Sequence, residues 1–299
     1  KEGSIMNKNN KAVAVIINIF YIVLCAACIF PLLLTLSISL TEESTLYEYG
    51  YRLIPKKLSL DAYKYVFGST GVIMRAYGVT IFVTVMGTVL GVLVTSMYSY
   101  VISRPDFRYR NAFSFFSYFT MLFGGGIAAT YLIKVNVLHM SNTLAVLIIP
   151  GAISAWNVMV LKSFFETSVP TSIIESGKLD GAGELRVFFR LVFPIAIPGI
   201  MTIALFIALG KWNDWAAPML YITDRRKYTL AFLMQNMLTN IKEVMDAAQQ
   251  TGMSIDMEEM PQEGARMALC LVAAGPVLVA YPFFQKYFIQ GMTIGAVKG

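Results

Sequence analysis

The stretch from Pro170 to Pro198, P-T-S-I-I-E-S-G-K-L-D-G-A-G-E-L-R-V-F-F-R-L-V-F-P-I-A-I-P, decides how the rest of the chain is read. It is a long polar break in a sequence that otherwise alternates between apolar runs and short connectors. Ser172 precedes Glu175 by three residues, the capping-box spacing in which hydroxyl and carboxylate each satisfy an orphan backbone N–H, so a helix is expected to start there. Asp180, Gly181 and Gly183 tolerate left-handed backbone, so that helix should end after about two turns. Beyond the turn, Leu185, Phe188, Phe189 and Val192 fall at i, i+3, i+4 and i+7 on one apolar face, with Glu184, Arg186 and Arg190 off it. The expectation is a helix-turn-helix on a membrane surface, with Pro194 and Pro198 leading into the next apolar span.

Composition settles the class. Hydrophobic residues make up 57% of the 299 and charged residues 14%, against roughly 25% charged in soluble domains. With a mean hydropathy of +0.62, this is an all-α integral membrane protein. Crossing a hydrocarbon core of about 30 Å takes about 20 helical residues. Six stretches qualify, at about 12–40, 77–103, 112–133, 142–165, 195–221 and 264–285, in a single transmembrane domain, 1–299. Each is expected to be helical, because an unpaired backbone amide in lipid costs several kcal/mol. The first is too long for a signal-peptide core and lacks a small-residue cleavage site, so it is expected to be retained.

The formal charge of +6 comes without a basic run interleaved with aromatics, so nucleic acid is not an expected partner. In a membrane protein a positive excess orients the chain. With the N-terminus inside, half of the 24 basic residues fall on the cytoplasmic side, including the compact turn Arg104, Arg108 and Arg110 and, further on, Lys162, Lys178, Arg186 and Arg190. Most of the remaining basic residues are spread through long loops that translocate largely regardless of charge. Both termini and the 170–194 loop are therefore read as cytoplasmic.

No catalytic constellation is visible. There is one histidine, His139, and no HExxH, G-x-S-x-G or Walker-type motif, so any ATP hydrolysis falls to another chain, and no cofactor or metal is expected in this one. Cys25 and Cys28 have redox or zinc spacing but sit in an apolar span without a partner pair; with Cys270 they read as small buried hydrophobes. Gly87 and Gly91 form a GxxxG face suited to close helix packing. Gly124, Gly125 and Gly126 invite either local unwinding or close approach of a ligand or neighbouring helix, and packing is the favoured reading. In the outer segments, Leu58 to Phe67 could form a short interfacial helix. The acidic section around Asp256, Glu258 and Glu259 admits a calcium site, with a solvated face favoured.

Lys211, Trp212, Asn213, Asp214 and Trp215, near the outer end of the fifth span, are the best candidates for a solute site. Charges in a membrane helix normally face a bundle interior or a water-filled cavity. Lys211 and Asp214, at i and i+3, could neutralise each other, and the indoles offer a flat apolar surface with a hydrogen-bonding edge, which suits a sugar ring. An aromatic belt with snorkelling charges fits equally well. Asn157 and Tyr131 are weaker candidates for the same cavity.

The 170–194 loop resembles the EAA loop of ABC-importer permeases. Glu175, Ser176 and Gly177 stand for its E-A-A, Gly181 for its glycine and Leu191 to Pro194 for its closing tetrad; Glu175, Gly181 and Pro194 fall on register, and the two alanines do not. With the segment from Trp212 and Asn213 to Pro218 and the tail from Gln285 to Gly299, nearly the whole chain resembles the maltose-type sugar permeases. It is most similar to the MalG side of the pair and to LplC/YtcP-like permeases of complex-polysaccharide import, where a glycine-rich third span and Asp180, Gly181 and Ala182 also recur.

The resemblance implies a six-helix MalFG-type fold in a bacterial cytoplasmic membrane. It implies a second, MalF-like permease, two cytosolic ATPase subunits that carry ATP and Mg, and an extracytoplasmic solute-binding protein that delivers a carbohydrate. Ser172, Glu175, Ser176, Gly177, Asp180, Gly181, Ala182 and Gly183 would form the ATPase-coupling element, with Glu175 pairing with a basic residue of the ATPase and Gly181 permitting the turn. The tail, 286–299, would insert between the ATPase subunits through Gly291, Thr293, Gly295 and Lys298 without helical pattern. A secondary transporter or a membrane scaffold is the alternative.

Overall fold

The computed structural model describes residues 2–68, 70–239 and 263–296. Among these residues the fold is helical, and the only β-type contact is an antiparallel bridge between Thr41 and Leu58. In chain order, α1 (Glu2–Ser39), α2 (Glu43–Tyr49) and α3 (Asp61–Gly68) precede the long α4 (Thr70–Ser103). Next come α5 (Arg110–Leu122), α6 (Gly126–Leu132) with a π-helical turn Ile133–Val137, α7 (Ala145–Ile148) and α8 (Ala155–Ser168). Then follow α9 (Thr171–Leu179), α10 (Glu184–Val187), a π-helical turn Phe188–Val192, α11 (Phe193–Trp212) and α12 (Ala216–Tyr221). Finally, α13 (Leu230–Thr239) and α14 (Glu263–Ala296) complete the described chain.

By length and apolarity, Val13–Ser39, Gly71–Ser103 and Glu184–Trp212 can each cross a bilayer, with mean hydropathies of 2.8, 2.1 and 2.4. The pair Arg110–Leu122 and Gly126–Val137 supplies a fourth if taken as one span, but it is bent by 114°. Three expected spans are thus not single helices. The third unwinds at Phe123 to Gly125 and restarts at Gly126 with φ +76°. The helix unwinds at these glycines, and a Cβ on any of them would meet nothing of this chain within 4 Å. The fourth is divided between α7 and α8 by Ile149 to Ser154, where Pro150 has no N–H to give to a helical ladder. The fifth starts and ends earlier than expected: α10, the π turn and α11 run on continuously to Trp212, and α12 follows only after a break at Asn213 to Trp215. Pro194 removes a donor there, and Phe193 N–H bonds the Phe188 carbonyl five residues back. The last expected span lies within α14.

The chain divides into two compact units, residues 1–70 with 238–275 and residues 71–237 with 276–299. In the first, α2 and α3 cover the start of α14, burying Leu46, Ala62, Val66, Ala265 and Leu269. The Glu43 carboxylate accepts from Glu263 N–H at 2.9 Å and Gly264 N–H at 3.1 Å, so an anion sits on the N-terminus of α14. In the second unit, α8 and the α10–α11 run pack on α4 around Tyr100, Leu161, Phe165, Val187, Phe188, Val192 and Ile203. Ser99 Oγ donates to the Val158 carbonyl at 3.0 Å, tying α4 to α8. Gly87 and Gly91 do provide close approach: a Cβ on Gly91 would lie 3.1 Å from the Ala152 carbonyl oxygen and 3.1 Å from Ile207 Cδ1. The cysteines depart from expectation, since Cys25, Cys28 and Cys270 are free thiols exposed on the surface of their helices. An apolar helix face turned toward lipid hosts a thiol as readily as a core does.

Candidate functional site

Helix α9 does not start as the capping-box spacing suggests. Pro170 occupies the N-cap position with φ −63° and ψ 133°, no side chain caps the helix, and Ser172 already lies in the first turn. Proline fixes the entry φ and lets the helix begin before the serine is reached. Glu175 and Ser176 are exposed on its outer side, whereas Gly177 is buried. A Cβ on Gly177 would fall 2.6 Å from Leu191 Cδ1, the end of a side chain that would have to shift to admit it, so α9 lies close against the π turn here.

The end of α9 follows the sequence reading closely. Ala182 N–H donates to the Gly177 carbonyl at 2.9 Å and Gly181 N–H to the Lys178 carbonyl at 3.0 Å, the paired bonds of a Schellman motif. Gly181 takes φ +75° with open space around its Cβ position, so its requirement is one of backbone conformation alone. Asp180 and Gly183 are exposed at the turn, and Ala182 packs against the core. Leu179 stands at the tip with 88% of its surface exposed. The second limb differs from expectation. Val187, Phe188 and Val192 are buried while Leu185 and Phe189 are exposed, because the π turn rotates the face and the limb is the beginning of a span.

Beneath α9 lies a charge cluster that the sequence reading did not assemble. Arg104, at the end of α4, has a side chain only 9% exposed. Its Nε donates to Asp106 Oδ1 at 2.8 Å, its Nη2 to Asp106 Oδ2, and its Nη1 to Glu184 Oε2 and, at 3.2 Å, to Tyr100 OH. Lys178 Nζ donates to Asp106 Oδ2 at 2.8 Å and pairs with Glu184 Oε1 at 3.3 Å. The hydrogen bonds from Arg104, then from Lys178, hold the Asp106 carboxyl well below the usual range, and Asp106 in turn raises both cations. Cavities of about 330 Å³ and 260 Å³ flank the cluster, and Tyr100 and Arg104 line both.

At the far end of α11 the proposed solute residues are partly dispersed. Lys211 and Asp214 do not pair. The half-buried Lys211 ammonium donates to the Leu147 carbonyl beside the break in the fourth span, and its stem crosses Gly87. A buried cation satisfies a carbonyl that the broken helix leaves orphaned. Asp214 Oδ1 accepts from Ala217 N–H at 3.0 Å and thereby caps α12. Trp212 is half-buried beside Tyr77 and lines an apolar cavity of about 400 Å³ with Thr84, Thr88 and Leu209, whereas Asn213 and Trp215 are exposed. Tyr131 stacks on Tyr221 at 5.6 Å with Lys134 Nζ 4.8 Å from the Tyr221 ring centre, and Asn157 is buried on α8. Asn142 staples this end: its Oδ1 accepts from Thr223 and Asp224 N–H, and its carbonyl from Lys227 Nζ.

In the tail, α14 continues through Gly291, Thr293 and Gly295 to Ala296, where a non-helical segment was expected. Lys298 and the acidic residues Asp256, Glu258 and Glu259 lie outside the described residues.

The described residues make an all-helical membrane protein with a short helical knob held at one end of the second unit's core. The chain belongs to the family of binding-protein-dependent transport system inner membrane components, whose pattern it matches over residues 87–294. It is 36% identical to the polygalacturonan/rhamnogalacturonan transport system permease protein YtcP of Bacillus subtilis, covering 94% of this chain and 96% of that one. It is 38% identical to protein LplC of the same organism over 92% and 90% of the two chains. Among solved structures, a chain of a bacterial ABC transporter involved in the import of the acidic polysaccharide alginate has the same fold, with a TM-score of 0.79 over 94% of this chain and 98% of that chain at 23% identity.

Proposed function

We propose that this chain is a permease subunit of a binding-protein-dependent ABC importer for a carbohydrate, driven by ATP hydrolysis in a separate subunit. The observation that carries the reading is the α9 knob, a nine-residue helix ending in a Schellman turn and presenting Glu175 and a bare Leu179 to a partner. Family membership supports an ATPase subunit as that partner. An ATPase groove receives α9, Glu175 meets a basic residue there, and closure of the nucleotide-bound ATPase pushes on α9 and switches the access of the pathway. A second permease closes that pathway, a solute-binding protein loads it from outside, and the end of α14 reaches the ATPase pair. Asp214, the carboxylate nearest the outer end of α11, is used in capping α12, which argues against ion-coupled secondary transport. The relatives named for polygalacturonan, rhamnogalacturonan and alginate handle acidic sugars, and Lys134, Arg225 and Arg226 supply cations at the end of the bundle away from α9. An oligosaccharide bearing uronic acid is the substrate class these features favour.

The test is purification from native membranes in mild detergent, followed by ATPase assays with candidate oligosaccharides and their binding protein. The expected result is a co-purifying ATPase stimulated by one loaded binding protein. Gly181→Val, placing a β-branched residue at φ +75°, costs about 1–2 kcal/mol locally and should abolish coupled uptake with the chain still inserted. Gly181→Asn should retain uptake, because asparagine tolerates left-handed backbone. Equal transport by the valine variant would refute the assignment of α9.

A further inference from the structure

The charge cluster under α9 has a mechanical consequence. Covalent continuity carries a displacement of α9 through α10 into α11, but α4 lies 68 residues away in the chain at its nearest point, Ser103 against Thr171. It can follow α9 only through side chains. Open grooves flank this junction, and ring contacts such as Tyr100 against Phe188, at 5.2 Å, pack on the core side of it. Directional charged hydrogen bonds make the remaining connection. We propose that Arg104 is a positioning residue for coupling, whose guanidinium fastens the α9 knob to the end of α4 so that a push on α9 moves both spans together. This rests on the reading of α9 as the ATPase-docking element.

The geometry fits a clamp. The fork formed by Nε and Nη2 holds both oxygens of Asp106, which fixes the plane of the guanidinium, and Nη1 is left to reach Glu184 at the start of α10. Lys178 spans the same two carboxylates from the last turn of α9, so the C-terminal end of the knob and the start of α10 are both bound to the Arg104 turn. Because the Arg104 side chain is only 9% exposed, loss of an acceptor leaves a buried cation underpaired, and the junction loses its fixed geometry. A lysine at 104 would keep the charge but could not reproduce a planar fork.

The test uses the whole transporter, this chain with its permease partner, ATPase and loaded binding protein, reconstituted in liposomes, and reads sugar taken up per ATP hydrolysed. Glu184→Gln and Arg104→Lys should each lower that ratio by about fivefold or more, the low end of typical site-to-site coupling. Glu184→Asp, which keeps the carboxylate, should recover most of it. A merely structural role would instead reduce the yield of assembled transporter and lower uptake and hydrolysis in proportion; an unchanged ratio in the purified variants overturns the proposal. Wild-type protein without any ATP-driven uptake would instead remove the importer reading on which the proposal stands.

Discussion

At the scale of single residues, Asp106 is the group whose charge state the surroundings control most strongly. Two cations donate to it, and its carboxyl is held well below the ordinary value of 3.8. A carboxyl depressed on folding adds stability that is fully present above its unfolded value and is lost as pH falls through the window between that value and the folded one. The contribution of this link should therefore be flat across the neutral range and fade below about pH 4. Asp106→Asn should lower the melting temperature of the detergent-solubilised protein at pH 7, and the gap to wild type should narrow at pH 3. A gap of equal size at both values would mean that the aspartate acts through packing and not through charge. Arg104 explains why this cluster escaped the sequence. In the linear chain it is one of three arginines in a basic turn, the pattern that orients a membrane protein, and its acceptor Glu184 is 80 residues away. The Arg-Pro-Asp spacing hinted at the local half of the clamp; nothing local could have indicated the other half.

At the scale of elements, turn chemistry was legible and helix continuity was not. Gly181 announces its own conformation, because a single residue type dominates left-handed backbone at a helix end, and the structure places it at φ +75° in the expected turn. Apolar length, by contrast, marks where chain is buried in lipid without saying whether it is one rod. The third span is broken at its glycines and the fourth at Pro150, and the orphaned carbonyl of Leu147 is then met by Lys211 from another helix. That lysine reads as a site residue because charge in a span demands an explanation, and the structure shows its ammonium meeting a backbone carbonyl. The glycines of α4 make the packing argument testable. Gly91→Leu forces a side chain into the Ala152 carbonyl, which is backbone and cannot swing aside, and should cost about 1–3 kcal/mol as overpacking. Gly210→Ala on α11 has open space around it and should be neutral or slightly stabilising. Thermal unfolding of the two variants checks this, and equal losses would mean that close approach at Gly91 is not what the helix pair needs.

On the scale of the whole molecule, α4 and α11 run antiparallel through the second unit: Arg104 meets Glu184 at one end, and Gly87 meets Lys211 toward the other. With 34 residues at about 1.5 Å each, α4 is about 50 Å long and exceeds a hydrocarbon core of about 30 Å, so its two ends lie on opposite faces of the membrane. The α9 knob shares the Arg104 end, and the Asn142 staple joins the 221–227 loop at the opposite end. Arg108, Arg110, Arg186 and Arg190 follow Arg104 and Glu184 in the chain, and under the proposed orientation this basic end with α9 faces the cytoplasm. In a variant with Cys25, Cys28 and Cys270 replaced by serine, Ser141→Cys should react with a membrane-impermeant maleimide on intact cells, and Leu179→Cys only after permeabilisation. Both side chains are exposed, so a difference in labelling reports sidedness and not burial. The reverse pattern would put α9 where there is no ATP and no ATPase to push it, and would remove the coupling mechanism while leaving every intramolecular contact in place.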